Sequence, residues 1–138
     1  MPTQSITLLS LTATASGAVT ERRAVKFSGA QADTQGEKVL GVAHQGAADG
    51  KDFAVDVRGT AVIEAGAAIA VGESLIVDTQ GRAIPATGSL AIVAGATAVT
   101  SSAANGQILE GADLPEHVFA DALQAAAAAG DLIEVLLR

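Results

Sequence analysis

The sequence predicts a mainly-β domain, a small sandwich or barrel, with one short helix near its C-terminus and an extended N-terminal arm. Three observations predict it. Short runs of Val, Ile, Leu and Thr recur along the chain, glycine-bearing turns separate them closely, and only one stretch carries helix signals. At 138 residues one domain is expected, with an arm over residues 1–16 and a single β-rich domain over 17–138. The core material is unusual. Hydrophobic residues make up 49% of the chain but aromatics only 2%, with no Trp or Tyr. Small aliphatic side chains each bury less surface than rings, so assembly would supply burial that the monomer lacks.

Residues 3–14 read as extended. Ile6 and Leu8 share one parity while Leu9, Leu11 and the more loosely matched Ala13 fall on the other, and hydroxyl residues dominate the remainder. Ser16-Gly17-Ala18 breaks the segment. Ala24-Val25-Lys26-Phe27 and Val39-Leu40-Gly41-Val42-Ala43 are short strands, with a polar turn over Gln31–Glu37 between them. After the turn at Gln45–Lys51, Phe53, Val55 and Val57 point one way and Asp56 and Arg58 the other, the clearest half-buried strand in the chain. Gly59 marks a bulge or a close backbone approach, and the extended pattern continues to Glu64.

Ala65 to Val71 has the composition for a helical turn, but Gly66 and Gly72 bound it tightly. Ser74–Asp78 and Arg82–Ile84 flank Thr79-Gln80-Gly81 as a hairpin, ended by Pro85. One strand at Leu90–Val93 and a turn at Asn105-Gly106 are expected within residues 86–106. The helix is predicted on Asp113 with Glu116 as a capping box, Pro115 in a first turn, and the alanine run Ala125–Ala129 stopped by Gly130. Val118-Phe119-Ala120 reads alternatively as strand, leaving a helix from Asp121. Leu132–Leu137, apolar on both faces, is a central strand.

The formal net charge is −7, with 8 basic against 15 acidic residues and Arg22-Arg23 the only adjacent basic pair. Phosphate backbones require clustered cations, so nucleic acid and anionic membranes are not expected partners. There is no cysteine. The N-terminus lacks the basic and apolar segments of a signal peptide, and no apolar run is long enough to span a bilayer, so a soluble, unexported product is expected.

Motifs for catalysis are missing. No Gly-Lys-Ser or Gly-Lys-Thr exists to cradle a nucleotide phosphate, and Gly50-Lys51-Asp52 puts a carboxylate where the magnesium-binding hydroxyl belongs. Gly72-Glu73-Ser74-Leu75 has the wrong spacing for a serine nucleophile. His44 and His117 stand in no recognisable motif and read as surface histidines. Asp49-Gly50-Lys51-Asp52 lacks the alternating carboxylates of a calcium loop, and turn-forming aspartates account for it. Asp52 and Asp56 share one segment and read as solvated strand-face carboxylates. No catalytic residue, cofactor or metal is expected.

The N-terminal segment carries the one functional candidate. It reads either as the first strand of the sheet or as an arm that adds to a partner's exposed sheet edge, with Ile6, Thr7, Leu8, Leu9 and Leu11 as contact residues.

Three passages resemble the capsid cement, or head decoration, proteins of tailed phages, a β-rich family once mislabelled as recombinase homologues. They are Lys38–Ala43 with Phe53–Gly59, then Ala67–Asp78 with Gly81-Arg82, and finally Ala122–Leu137. Residues 111–119 look like an insertion before the family's usual ending, and the segment up to Ser28 matches only in general character. The resemblance implies a β-tulip-like domain that trimerises on the outer capsid surface at local three-fold positions. It would there bridge major capsid subunits, after synthesis in the host bacterial cytoplasm. The recombinase label fails on the missing phosphate loop. A tail-associated or carbohydrate-binding module is the competing reading, and the scarcity of aromatic platforms argues against sugar recognition.

Overall fold

A computed structural model of the protein describes residues 3–87 and 116–138. Its strands are β1 (Thr7–Thr14), β2 (Ala24–Val25), β3 (Gly41–Ala43), β4 (Asp52–Glu64), β5 (Ser74–Val77), β6 (Ala83–Pro85), β7 (Ala120–Ala122) and β8 (Leu132–Leu137). They form one sheet in the order β2-β3-β4-β8-β7-β5-β6, with β1 added on β4. Every strand pair is antiparallel. The ends of this order approach each other. Ala24 N–H donates to the Gly81 carbonyl at 2.7 Å and Gly36 N–H to the Val77 carbonyl at 2.9 Å, so the sheet curls into a nearly closed barrel.

Strand β4 organises the rest. Val55 and Asp56 pair with Leu11 and Ser10 of β1, and also with Ala43 and Val42 of β3, so β1 and β3 lie along opposite edges of β4. From Gly59 to Glu64, β4 pairs with β8. Two apolar clusters result. Ile63, Leu75, Val77, Ile133 and Val135 belong to the larger one, whereas Phe53, Val55, Val25 and Ala43 belong to the smaller. Val42, opposite Asp56, joins the same cluster as Ala61 and Ile63. The inward parity of β4 therefore changes between Asp56 and Ala61. That change coincides with the irregular pairing around Leu8 and Val57 and with Gly59 at φ 102°.

The predicted C-terminal helix is absent: none of the described residues is α-helical. Residues 120–122 form β7 between β5 and β8. In the alanine run, Ala126 exchanges both backbone hydrogen bonds with Ile69, at 2.9 and 3.0 Å. The Asp131 carboxylate accepts the Ala127 and Ala128 N–H groups at 2.8 and 3.2 Å, and Gly130 reverses the chain at φ 98°. The physical reason is length. An isolated helix shorter than about 12–15 residues is marginal in water, so a short alanine run yields its backbone to tertiary pairing. The alternative reading of Val118-Phe119-Ala120 as strand is the closer one. Residues 65–71 are likewise not helical, held by bridges at Ala65 and Ile69. The predicted hairpin is β5–β6, and the predicted central strand is β8. The expected strand at Leu90–Val93, the Asn105-Gly106 turn and the start of the capping box at Asp113 lie outside the described residues.

Candidate interaction surface

Backbone geometry decides which groups β1 presents outward. The Ala54 carbonyl accepts the His44 N–H at 3.0 Å, on the β3 side of β4. In an antiparallel ladder the adjacent residues face the other way, so Phe53 and Val55 address β1 and pair with Ala13 and Leu11. By the same alternation the amide and carbonyl of Ser10 and Thr12 point off the outer edge of the sheet. Among the described residues no backbone group pairs with them.

Apolar side chains flank this open edge. Leu8 is 79% exposed, Ile6 55%, Leu9 45% and Leu11 42%, against the ordinary tendency of such residues to be buried. Thr7 is half-buried. No charged residue occurs between Thr3 and Thr20. All five predicted contact residues are thus brought to one edge by a single strand and its approach. Their mixed parity, puzzling in the sequence, reflects the irregular pairing of Thr7 with Gly59, Leu9 with Arg58 and Ser10 with Asp56.

The segment leading into β1 is fastened. Ile6 N–H donates to the Thr60 hydroxyl and Thr60 N–H to the Ile6 carbonyl, both at 2.9 Å. Gln4 N–H donates to Oε2 of Glu134, at 2.9 Å, and Glu134 is itself buried. Sequence reasoning missed this anchor. Its signal was a glutamate in the middle of the otherwise apolar strand β8.

The other polar candidates are structural or dispersed. His44 Nδ1 lies 3.0 Å from Oδ2 of buried Asp56, and the imidazole is half-exposed. Asp52 accepts the Thr14 hydroxyl at 2.7 Å and Asp49 accepts Gly17 N–H at 2.8 Å, which are turn and edge contacts. Asp52 and Asp56 therefore have separate partners. His117 is exposed. The Lys26 ammonium donates to Asp33 and holds its carboxyl below the usual range, and the Thr34 hydroxyl adds to this. Asp121 raises Arg138 through paired hydrogen bonds. Among the described residues no group of His, Asp or Glu is placed to hold a metal ion.

The arrangement thus offers a binding edge. The sequence model of the family described as phage cement protein matches residues 3–137. The chain belongs to the phage cement protein family. This cement protein is therefore a structural, capsid-associated phage protein, in keeping with its exposed apolar edge. Among solved structures it is similar to the N base of head fiber gp8.5 of bacteriophage phi29, with a TM-score of 0.60 and 21% identity over 94% of this chain and 93% of that one. That likeness shows a shared fold. No curated protein matches the chain.

Proposed function

We propose that this cement protein sits as a homotrimer on the outer surface of a phage head and ties neighbouring major capsid subunits together. Ile6, Thr7, Leu8, Leu9 and Leu11 are its capsid contacts. The observation that carries the reading is the row of exposed leucines beside an unpaired strand edge. Burying one leucine fully is worth about 1.5–3 kcal/mol, so a few such contacts repeated over three copies give a firm hold. A core with only 3 Phe and neither Trp nor Tyr favours gaining further burial by trimerisation. A net charge of −7 suits an outer face, away from packaged DNA.

Co-sedimentation with purified shells tests the reading, together with light scattering on the free protein. A trimeric mass and saturable shell binding are expected, with binding lost in a Leu8→Ser, Leu9→Ser, Leu11→Ser variant that remains folded. A monomer that ignores shells would remove the proposal.

A further inference from the structure

We propose that the outer edge of β1 seats one extended segment of the major capsid protein, which joins the sheet as an added strand. This rests on the capsid-bridging reading above and specifies the bond that makes the bridge.

The edge is built for pairing. Natural sheets protect exposed edges with lysine, proline, inward charge or bulges, because unpaired amides template association with other chains. Strand β1 has no charge and no proline, and its irregular pairing is confined to the start of the strand, before Ser10. From Ser10 to Thr14 the ladder to β4 is regular, and the outward amides of Ser10 and Thr12 lie within that stretch. Leu9 and Leu11 stand on either side of Ser10, where alternate side chains of an added strand would meet them.

Symmetry argues against a second copy as the occupant. Pairing β1 with β1 of another copy uses the same surface twice, which is an isologous two-fold contact that closes at a dimer. A three-fold assembly cannot be built from it. Two chains of charge −7 also repel when brought edge to edge. The partner strand has a readable chemistry. Arg58, opposite Leu9 in the ladder, is exposed and makes no ion pair among the described residues. The Thr14 carbonyl is covered by Gly29, so the incoming strand is apolar or hydroxyl-bearing opposite Ser10–Thr12, with an acidic residue near its Arg58 end.

Thr12→Pro removes an outward N–H that β4 does not use, and edge strands tolerate proline in that setting. Its comparison is Thr12→Val, which keeps the donor. Co-sedimentation is expected to show wild type and Thr12→Val binding alike and Thr12→Pro weakened about tenfold or more, as for a lost hydrogen bond that strands its partner. Thr12→Pro should keep the wild-type mass and melting temperature. Hydrogen exchange on the wild type gives a readout independent of folding of the variant. The amides of Ser10 and Thr12 should slow on adding shells. Undiminished shell binding by Thr12→Pro, a changed oligomeric mass in its place, or unaltered exchange at Ser10 and Thr12 would each overturn the strand-addition proposal while leaving capsid binding intact. Absence of wild-type binding would instead remove the capsid reading and this inference with it.

Discussion

Gly59 packs directly against the carbonyl oxygen of Ile6, with no room for a side chain between them. At φ 102° the residue also occupies a backbone region that L side chains rarely adopt. The contact holds the approach to β1 against β4 where the inward parity of β4 changes. Gly59→Ala is expected to cost about 2–4 kcal/mol, from backbone strain and the collision together, read as a lower denaturant midpoint. Shell binding should weaken as well, since Leu8 lies beside the same glycine. Wild-type stability in this variant would mean that the backbone of Ile6 does not press on Gly59.

Glu134 makes a second anchor testable. Its carboxylate is buried and accepts the Gln4 amide, while its own N–H donates to Oε1 of Gln124 at 3.0 Å. Glu134→Ala leaves that amide without its acceptor, at a cost of about 1–3 kcal/mol. The local effect should exceed the global one, with faster hydrogen exchange and proteolysis at residues 3–6. Unchanged exchange there would show that the Thr60 contacts suffice.

The β5–β6 hairpin depends on one carboxylate. Oδ1 of Asp78 accepts the Gln80 and Arg82 N–H groups at 2.8 Å each, and Oδ2 accepts Arg82 Nε at 2.8 Å. Asp78→Ala strands two amides and a guanidinium, for an expected loss of about 2–4 kcal/mol. Asp78→Asn keeps an acceptor for the amides and should recover part of that loss. Equal melting temperatures for the two variants would remove this reading.

These contacts show what was legible in the sequence. Alternation from Phe53 to Val57, the glycine at 59 and the Thr79-Gln80-Gly81 tip located the hub strand, its irregularity and the hairpin, because each is set by neighbours in sequence. The alanine run misled, because its helix propensity is local while the pairing of Ala126 with Ile69 spans the fold. The leucines of β1 were found as candidates. Their exposure was not legible, since it depends on which edge of β4 receives the strand. Glu134 stands out as a glutamate within an apolar strand, but what it holds is not legible for the same reason: its partner Gln4 lies at the other end of the chain.

The Lys26–Asp33 pair gives a pH signature. Hydrogen bonding from Lys26 lowers the Asp33 carboxyl, so its stabilising contribution is present above the ordinary carboxylate range and lost as pH falls through the depressed value. Bonding to Asp33 raises Lys26, so that contribution is present below the ordinary lysine range and lost as pH rises through the raised value. Asp33 is exposed and Lys26 half-buried, so the pair should weaken with salt. In Lys26→Met, Asp33 should titrate closer to an ordinary aspartate, followed by its carboxyl carbon shift. An unmoved titration would assign the lowering to Thr34 instead.

Removing residues 1–14 should damage the fold as well as any binding. Strand β1 is the partner of β4 from Asp52 to Gly59, and Ala13 packs on the cluster containing Phe53 and Val55. Without it, the β4 amides now bonded to β1 face solvent and that cluster is uncovered along one edge. The truncated protein is expected to melt lower and to aggregate, with hydrogen exchange accelerated at Phe53 and Val55, whose amides face β1. Point variants on the outer edge, such as Thr12→Pro, should leave those same amides protected. Wild-type melting and undisturbed Phe53 and Val55 protection in the truncation would instead make β1 a detachable arm, and the clustering of its leucines at a sheet edge would lose its structural basis.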